Sequence, residues 1–593
     1  MNPFSVKTPE TLKAEDIASL FIDVYSDFPR LLAQEHTFLH GARGTGKSMM
    51  LRYLEPQVQV AAKKVSSARE LSHYAIHVPI KSPNYALSEL ERLDGSPYWL
   101  LAEHFMICNV VLKVMGSLGL IASVLNDDKL EALEAFYCGC RTIFESCGSE
   151  INVNEDLASV QGYMDAISRV LKSERNNAKR YMANLAFNKE FQPYENALYG
   201  YEEFFLPFIR LIKSLDFTPN GPIYLMVDDA DNLPVRMQKI LNTWVSYRTT
   251  NDVCMKVSTQ QRYKTWRTTQ DVLIERAHDF SEIDISAVYT SKHSSHYYDR
   301  VQSIVRRRLE VNHISNSDPL KFFPENLVQR EKLDGVKRAI SEKWESGSGV
   351  SSRKSDDVTR YAVSDYMKEL AKSKKTNTFS YSGFKSLVDI SSGMIRYFLE
   401  PASRMYAEIV ASGNIQITEI PANIQDQVIY RWSEEYVLEE FDRLRQDEAS
   451  GYDHSINRIE RLRNLINALG QCFQRKLLSD DSERRFLSFM VTKPLTPDVQ
   501  NVVDLATEWG YLSIKSIARK EGVGRNLLYT LNRRLAPYFK LDPSGYAAHM
   551  SLTPEHLKLA VEDPQAFVRE RLKRSVYSGE FEDNQQLLDL EGL

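Results

Sequence analysis

Two spacings of apolar residues alternate along this chain. Short apolar runs at 37–40, 72–79, 223–227, 253–260 and 280–285 are each the length of one strand, and stretches with helical spacing separate them. The run Ile223 to Val227 is apolar at every position, the pattern of a parallel strand buried on both faces. Together they predict an α/β core, a parallel sheet with helices on both faces. The interval between the helix near residue 50 and the run at 223 is far longer than one strand and helix need, which predicts a mainly helical insertion at about 95–215. Within it, residues 104–125 form a long apolar run, but Lys113 and His104 interrupt it and favour a buried helix or helix pair over a membrane span. Beyond residue 415 the pattern is helical, with charge on one face and Leu or Ile on the other.

The segment from 497 to 553 predicts two helices, a short turn at Gly522 and Gly524, a third helix over 523–539, and a hairpin around Ser544 and Gly545. The resulting division is a core at 1–290, a helical region at 291–415, a helical connector at 416–494, a winged-helix domain at 495–575 and an acidic tail at 576–593.

Composition narrows the class. With 593 residues, 43% of them apolar, the chain can bury several cores. Its net charge of -5 excludes wholesale coating of nucleic acid, so any such contact needs a local basic patch. Six irregularly spaced cysteines do not make a disulfide framework and fit a reducing, cytoplasmic setting. Cys138, Cys140 and Cys147 have no second cluster at zinc spacing and read as ordinary thiols. The N-terminal residues lack the basic and apolar regions of a signal peptide.

Between the first run and the helix that follows it, Gly41-Ala42-Arg43-Gly44-Thr45-Gly46-Lys47-Ser48 fits G-x-x-x-x-G-K-[ST] at every fixed position, in the strand–loop–helix context that such a loop requires. Backbone N–H groups from Gly41 to Met49 would cradle a polyphosphate, Lys47 would reach its outer phosphates, and the Ser48 hydroxyl would ligate Mg²⁺. The run at 223 ends in Asp228 and Asp229. Asp228 is placed to hold Mg²⁺ and Asp229 to orient an attacking water. ATP and Mg²⁺ are therefore the expected cofactors.

These segments, with those that follow, resemble the AAA+ ATPases of the initiator type, the origin-recognition and helicase-loader proteins and their bacterial relatives. The resemblance implies a γ-phosphate sensor at the end of the next strand, at Ser258, Thr259 or Gln260, with Ser258 first. It implies a second sensor, Arg396, in the G-x-x-R pattern opened by Gly393, and an arginine lent to a neighbouring subunit, Arg248. It also implies self-association and a lid beginning near 297–310. The second acid of this family is most often glutamate. Asp229 is one methylene shorter, which would displace the carboxylate by about 1.5 Å, about one carbon–carbon bond, and errors of about 1 Å can cost a hundredfold in rate. Slow hydrolysis, suited to a switch, is expected.

From Tyr511 to Lys540 seven basic residues face one acid, Glu521. Asn526 and Tyr529 on the third helix, with Lys515, Arg525, Arg533 and Arg534 on phosphates, would meet double-stranded DNA. The leading reading is an ATP-dependent, oligomerising switch that engages DNA, with a role in antiviral defence or a mobile element suggested by the resemblance alone. A regulatory ATPase that holds an effector protein without DNA, and a filament-forming target selector, remain open.

Overall fold

The computed structural model describes every residue except 1, 7, 23–27, 66–67, 86, 126–129, 152–158, 188–192, 216–217, 261–262, 286–293, 350–352, 373–377, 414–415, 450–454, 481–484, 492, 519–524, 545–547 and 574–593. The acidic tail and the turns at Gly522, Gly524 and Gly545 lie outside the described residues. The chain forms two compact units. The first joins Met1–Pro319 to Gly393–Tyr406, and the second joins Leu320–Ser392 to Ala407–Leu593.

The first unit is built on five parallel strands, β1 (Thr37–His40), β2 (Tyr74–Pro79), β3 (Ile223–Asp228), β4 (Val253–Thr259) and β5 (Ser281–Asp284), in the order β2-β3-β4-β1-β5. Strand periodicity assigns the faces: Ile76, Val78, Leu225, Val227, Met255 and Val257 point to one core and Ala75, Tyr224, Met226 and Cys254 to the other. A sheet covered on both faces explains why β3 is buried along its whole length.

One polar side chain crosses this interior. Lys256 in β4 is fully buried, and its Nζ donates to the carbonyls of Ala33 (2.6 Å) and Glu35 (2.9 Å) and to Thr37 Oγ1 (3.0 Å), which pins the segment entering β1.

Three long helices, Ser96–Leu125, Leu130–Ser146 and Val160–Phe187, occupy the interval between β2 and β3 and share one continuous core with the sheet. Ser96–Ile121 is long and apolar enough to cross a membrane, yet 72% of its most apolar window is buried inside the protein. The helix Ser294–Val311, expected to open the lid, belongs to the first unit, where Arg307 Nε donates to the Ser19 carbonyl (2.7 Å) and Arg308 to that of Pro3 (2.9 Å).

The second unit packs helices such as Ala422–Val437 and Ser455–Leu477 with a four-stranded sheet of β6 (Phe486–Val491), β7 (Leu512–Ala518), β8 (Arg525–Leu531) and β9 (Ala548–Leu552), in the order β7-β8-β6-β9. This corrects the sequence reading of the C-terminal segment. The helix Pro497–Glu508 is present, but the expected second and third helices are strands β7 and β8, an antiparallel hairpin registered from Leu512↔Leu531 to Ala518↔Arg525. Among the described residues no strand between Leu535 and Ser544 pairs with β9, which lies parallel to β6. The leucines of 527–535 suggested helical spacing. In β8, instead, Arg525, Leu527, Tyr529 and Leu531 share one face, which is exposed at Arg525 and Leu527 and buried at Tyr529 and Leu531.

Candidate nucleotide site

Strand order sets the geometry. Because β4 lies between β1 and β3, the loops leaving the C-terminal ends of all three converge on one edge of the sheet, where open α/β sheets bind ligands. The phosphate loop leaves β1 with Gly41 N donating to the Thr259 carbonyl (3.1 Å) and Thr45 Oγ1 closing on the Ala42 carbonyl (2.9 Å). Gly44 (φ 91°) and Gly46 (φ 103°) take left-handed conformations that side-chain-bearing residues adopt only with strain. The helix Lys47–Tyr53 begins immediately after.

Lys47 is buried, and its Nζ donates to the loop carbonyls of Gly41 (2.6 Å) and Ala42 (3.2 Å). Burial pushes its ammonium below the usual lysine range, and the carboxylates of Asp229, Asp228 and Asp231 oppose that shift. An ammonium facing three carboxylates at the mouth of a glycine-rich loop matches the charge of a polyphosphate and a divalent cation together.

Asp228 ends β3 almost completely buried. Its Oδ1 accepts from Ser258 Oγ at 2.5 Å, and its Oδ2 lies 3.1 Å from His77 Nε2 on the adjacent strand. Burial pushes the Asp228 carboxyl up, but His77 and the hydroxyls of Ser258 and Ser48 outweigh burial and hold it below the usual carboxylate range.

The chain then turns sharply. Asp229 is left-handed (φ 56°), with its N–H donated to Ser258 Oγ at 2.9 Å and its Oδ1 accepting from Gln260 Nε2 at 2.9 Å. The backbone N–H of Gln260 donates to Asp231 Oδ2. A non-glycine residue in this backbone region at a charged site is strain of the kind that accumulates where function needs a fixed geometry.

Ser258, placed first as the sensor, is fully buried, and its hydroxyl joins Asp228 to the Asp229 backbone. It organises the two acids, and another of the three candidates, Gln260, has its amide on Asp229. His77 and Asp231 were not singled out in the sequence. A histidine between apolar neighbours near the end of β2, and a third acid two residues after Asp229, were the available signals.

Arg396 comes from the distant segment of the first unit and sits on the loop. Its N–H donates to the Gly44 carbonyl (3.1 Å), and a Cβ added to Gly44 would lie 2.7 Å from the Arg396 Cβ. Arg248 follows the helix Val235–Ser246, with 52% of its side chain exposed. Its Nε pairs with Asp279 Oδ1 (2.7 Å), and its guanidinium also contacts His278 Nδ1 (2.8 Å).

The residues assigned to DNA separate. Lys515 and Arg525 lie on the β7–β8 hairpin, Arg525 exposed and Lys515 partly so, and Asn526 Nδ2 lies 3.1 Å from Met490 Sδ. Tyr529 is buried and stacks on Phe489 with ring centroids 5.1 Å apart. Arg533 is 6% exposed, and the Arg534 guanidinium lies 4.0 Å from the Trp432 ring centroid and bonds the Trp432 carbonyl at 3.0 Å. Tyr529, Arg533 and Arg534 therefore hold the second unit together instead of presenting a groove-reading face.

Among the described residues no group of three or more His, Cys, Asp or Glu is arranged to hold a metal, and of the clustered thiols Cys140 is buried while Cys138 is exposed. The profile of the ORC-CDC6-like family matches residues 2–552. No curated protein matches the chain.

Proposed function

Because the chain belongs to the ORC-CDC6-like family, we propose that it is an AAA+ ATPase whose nucleotide state switches its self-association and its hold on DNA. The convergence of Lys47, Asp228 and Asp229 on the loop that Arg396 caps is the observation that carries this reading. The Ser48 hydroxyl and the Asp228 carboxylate fit a magnesium ion, which when bound would neutralise charge building on the polyphosphate. Lys47 would exchange its two loop carbonyls for phosphate oxygens. Asp229 would orient the attacking water, with Gln260 fixing its carboxylate and standing where a γ-phosphate is sensed. Arg396 would add positive charge to the same phosphates. Arg248 would reach a neighbouring subunit's site after leaving Asp279.

DNA engagement rests on the basic hairpin that carries Lys515 and Arg525, which would contact backbone phosphates without reading bases. The packing of Arg533 and Arg534 inside the second unit favours the second reading, a partner-holding ATPase without DNA. ATP turnover measured with and without duplex DNA, beside Lys47→Ala, tests the proposal. Stimulation that weakens steeply with salt supports DNA engagement; turnover indifferent to DNA supports the partner-holding reading.

A further inference from the structure

The helices Ser96–Leu125 and Val160–Phe187 pack together through apolar residues, and each carries a polar stripe beside that seam. Asn109, Lys113, Gly116 and Gly119 recur on one face of the first, and Asp165, Ser168, Lys172 and Arg175 on one face of the second. The two stripes line a single cavity of about 390 Å³, closed at one side by Val78 and Pro79 at the end of β2 and by Tyr85. Its size falls in the range of small-molecule sites.

We propose that this cavity binds a small phosphorylated anion, no larger than a mononucleotide, at a site separate from the phosphate loop. Charge supports the class of ligand. Three cations, Lys113, Lys172 and Arg175, line the cavity against one acid, Asp165, whose Oδ1 accepts from Gln161 Nε2 at 2.9 Å. None of the three cations is paired with an acid among the described residues.

Arg175 supplies the most specific observation. One end of its guanidinium donates to Asn109 Oδ1 at 3.3 Å, while its Nε is enclosed and donates to no protein atom. A guanidinium with one N–H unmet and another held only by a neutral amide can turn toward an oxyanion in the cavity. Burial raises the Tyr85 hydroxyl to about 12, so it stays a neutral donor at the cavity wall.

Space is provided by the absence of a side chain. A Cβ built on Gly116 meets nothing within 4 Å, and one on Gly119 would meet the Gln161 amide at 3.0 Å. The cavity also lies close to the nucleotide chemistry: Ile80, next to Pro79, donates its N–H to the carbonyl of Asp228 at 2.9 Å, so a bound anion would press on the strand end that carries the second acid's neighbour. This inference concerns binding at the insertion and does not depend on hydrolysis at the phosphate loop.

Gly116→Phe gives a clean test, because it fills open space and replaces a glycine in a helix interior, a change that does not weaken the helix. Thermal midpoints are measured for the full chain carrying Lys47→Ala, which silences the phosphate loop, with millimolar inorganic phosphate, pyrophosphate, AMP, GMP or adenosine. At least one phosphorylated probe should raise the midpoint, adenosine should not, and Gly116→Phe should abolish the rise. Lys172→Ala and Arg175→Met should each weaken binding by about tenfold, the loss expected for one charge-assisted hydrogen bond.

A response to pyrophosphate alone identifies an inorganic ligand, and a response to AMP or GMP identifies a phosphate ester; both support the site. No shift with any phosphorylated probe, a shift that survives Gly116→Phe, or adenosine acting as strongly as AMP would each overturn it.

Discussion

Asp229 stands where two constraints meet, a left-handed backbone and a carboxylate clamped by Gln260. Asparagine tolerates that backbone nearly as well as aspartate. Asp229→Asn should therefore keep the fold and nucleotide affinity while lowering ATP turnover about a hundredfold or more, the usual contribution of a positioned acid–base group; single-turnover kinetics beside a nucleotide-binding titration measures both. Gly44→Ala presents the opposite case. It imposes a Cβ at φ 91° and against Arg396 at 2.7 Å, so loop geometry and nucleotide binding should fail together. The phosphate loop and the two acids were legible in the sequence because their chemistry needs fixed residue types at fixed spacing. His77 and the buried bridge through Ser258 were not, because both depend on which strands lie side by side, and the order β2-β3-β4-β1 is not written in any local pattern.

Elements differ in how strongly their neighbours decide them. The core strands announce themselves because burial on both faces leaves no room for polar residues. The segment 512–531 is amphipathic at either period, so the choice between helix and hairpin is made by contacts with β6 and by Tyr529 stacking on Phe489, which are non-local. The basic residues there misled the reading for the same reason: a cation stacked between Trp432 and Tyr436 looks in sequence like one waiting for phosphate. Arg533→Glu with Arg534→Glu should accordingly destabilise the second unit, by about 3 kcal/mol or more for buried unpaired charge, and lower the thermal midpoint before any DNA is added. Lys515→Glu with Arg525→Glu should leave the midpoint within a degree or two and reduce DNA binding and its salt slope. Unchanged binding in that second variant would remove the hairpin from the DNA reading.

At the scale of the whole first unit, three buried histidines act in concert. Burial lowers the rings of His36, His73 and His104 to about 4, with the charge of Lys256 adding to the effect at the first two. Each is neutral in the fold and takes up a proton on unfolding below its ordinary value near 6.5. Stability is thus retained above about pH 6.5 and lost as pH falls from there toward 4, with a limiting slope on the order of 4 kcal/mol per pH unit for three protons. Denaturant unfolding followed between pH 7 and pH 4.5 should show that decline, and His104→Gln should shallow it. A flat profile would mean that the rings are protonated in the folded chain.

The bond between Arg396 N and the Gly44 carbonyl also sets a clock for synthesis. Its partners lie about 350 residues apart, so a ribosome adding about 5–20 residues per second needs roughly 20–70 s after the loop emerges before the capping helix can reach it. Throughout that interval the nascent loop is without its cap, so a nucleotide bound there during synthesis would be held by an unfinished site.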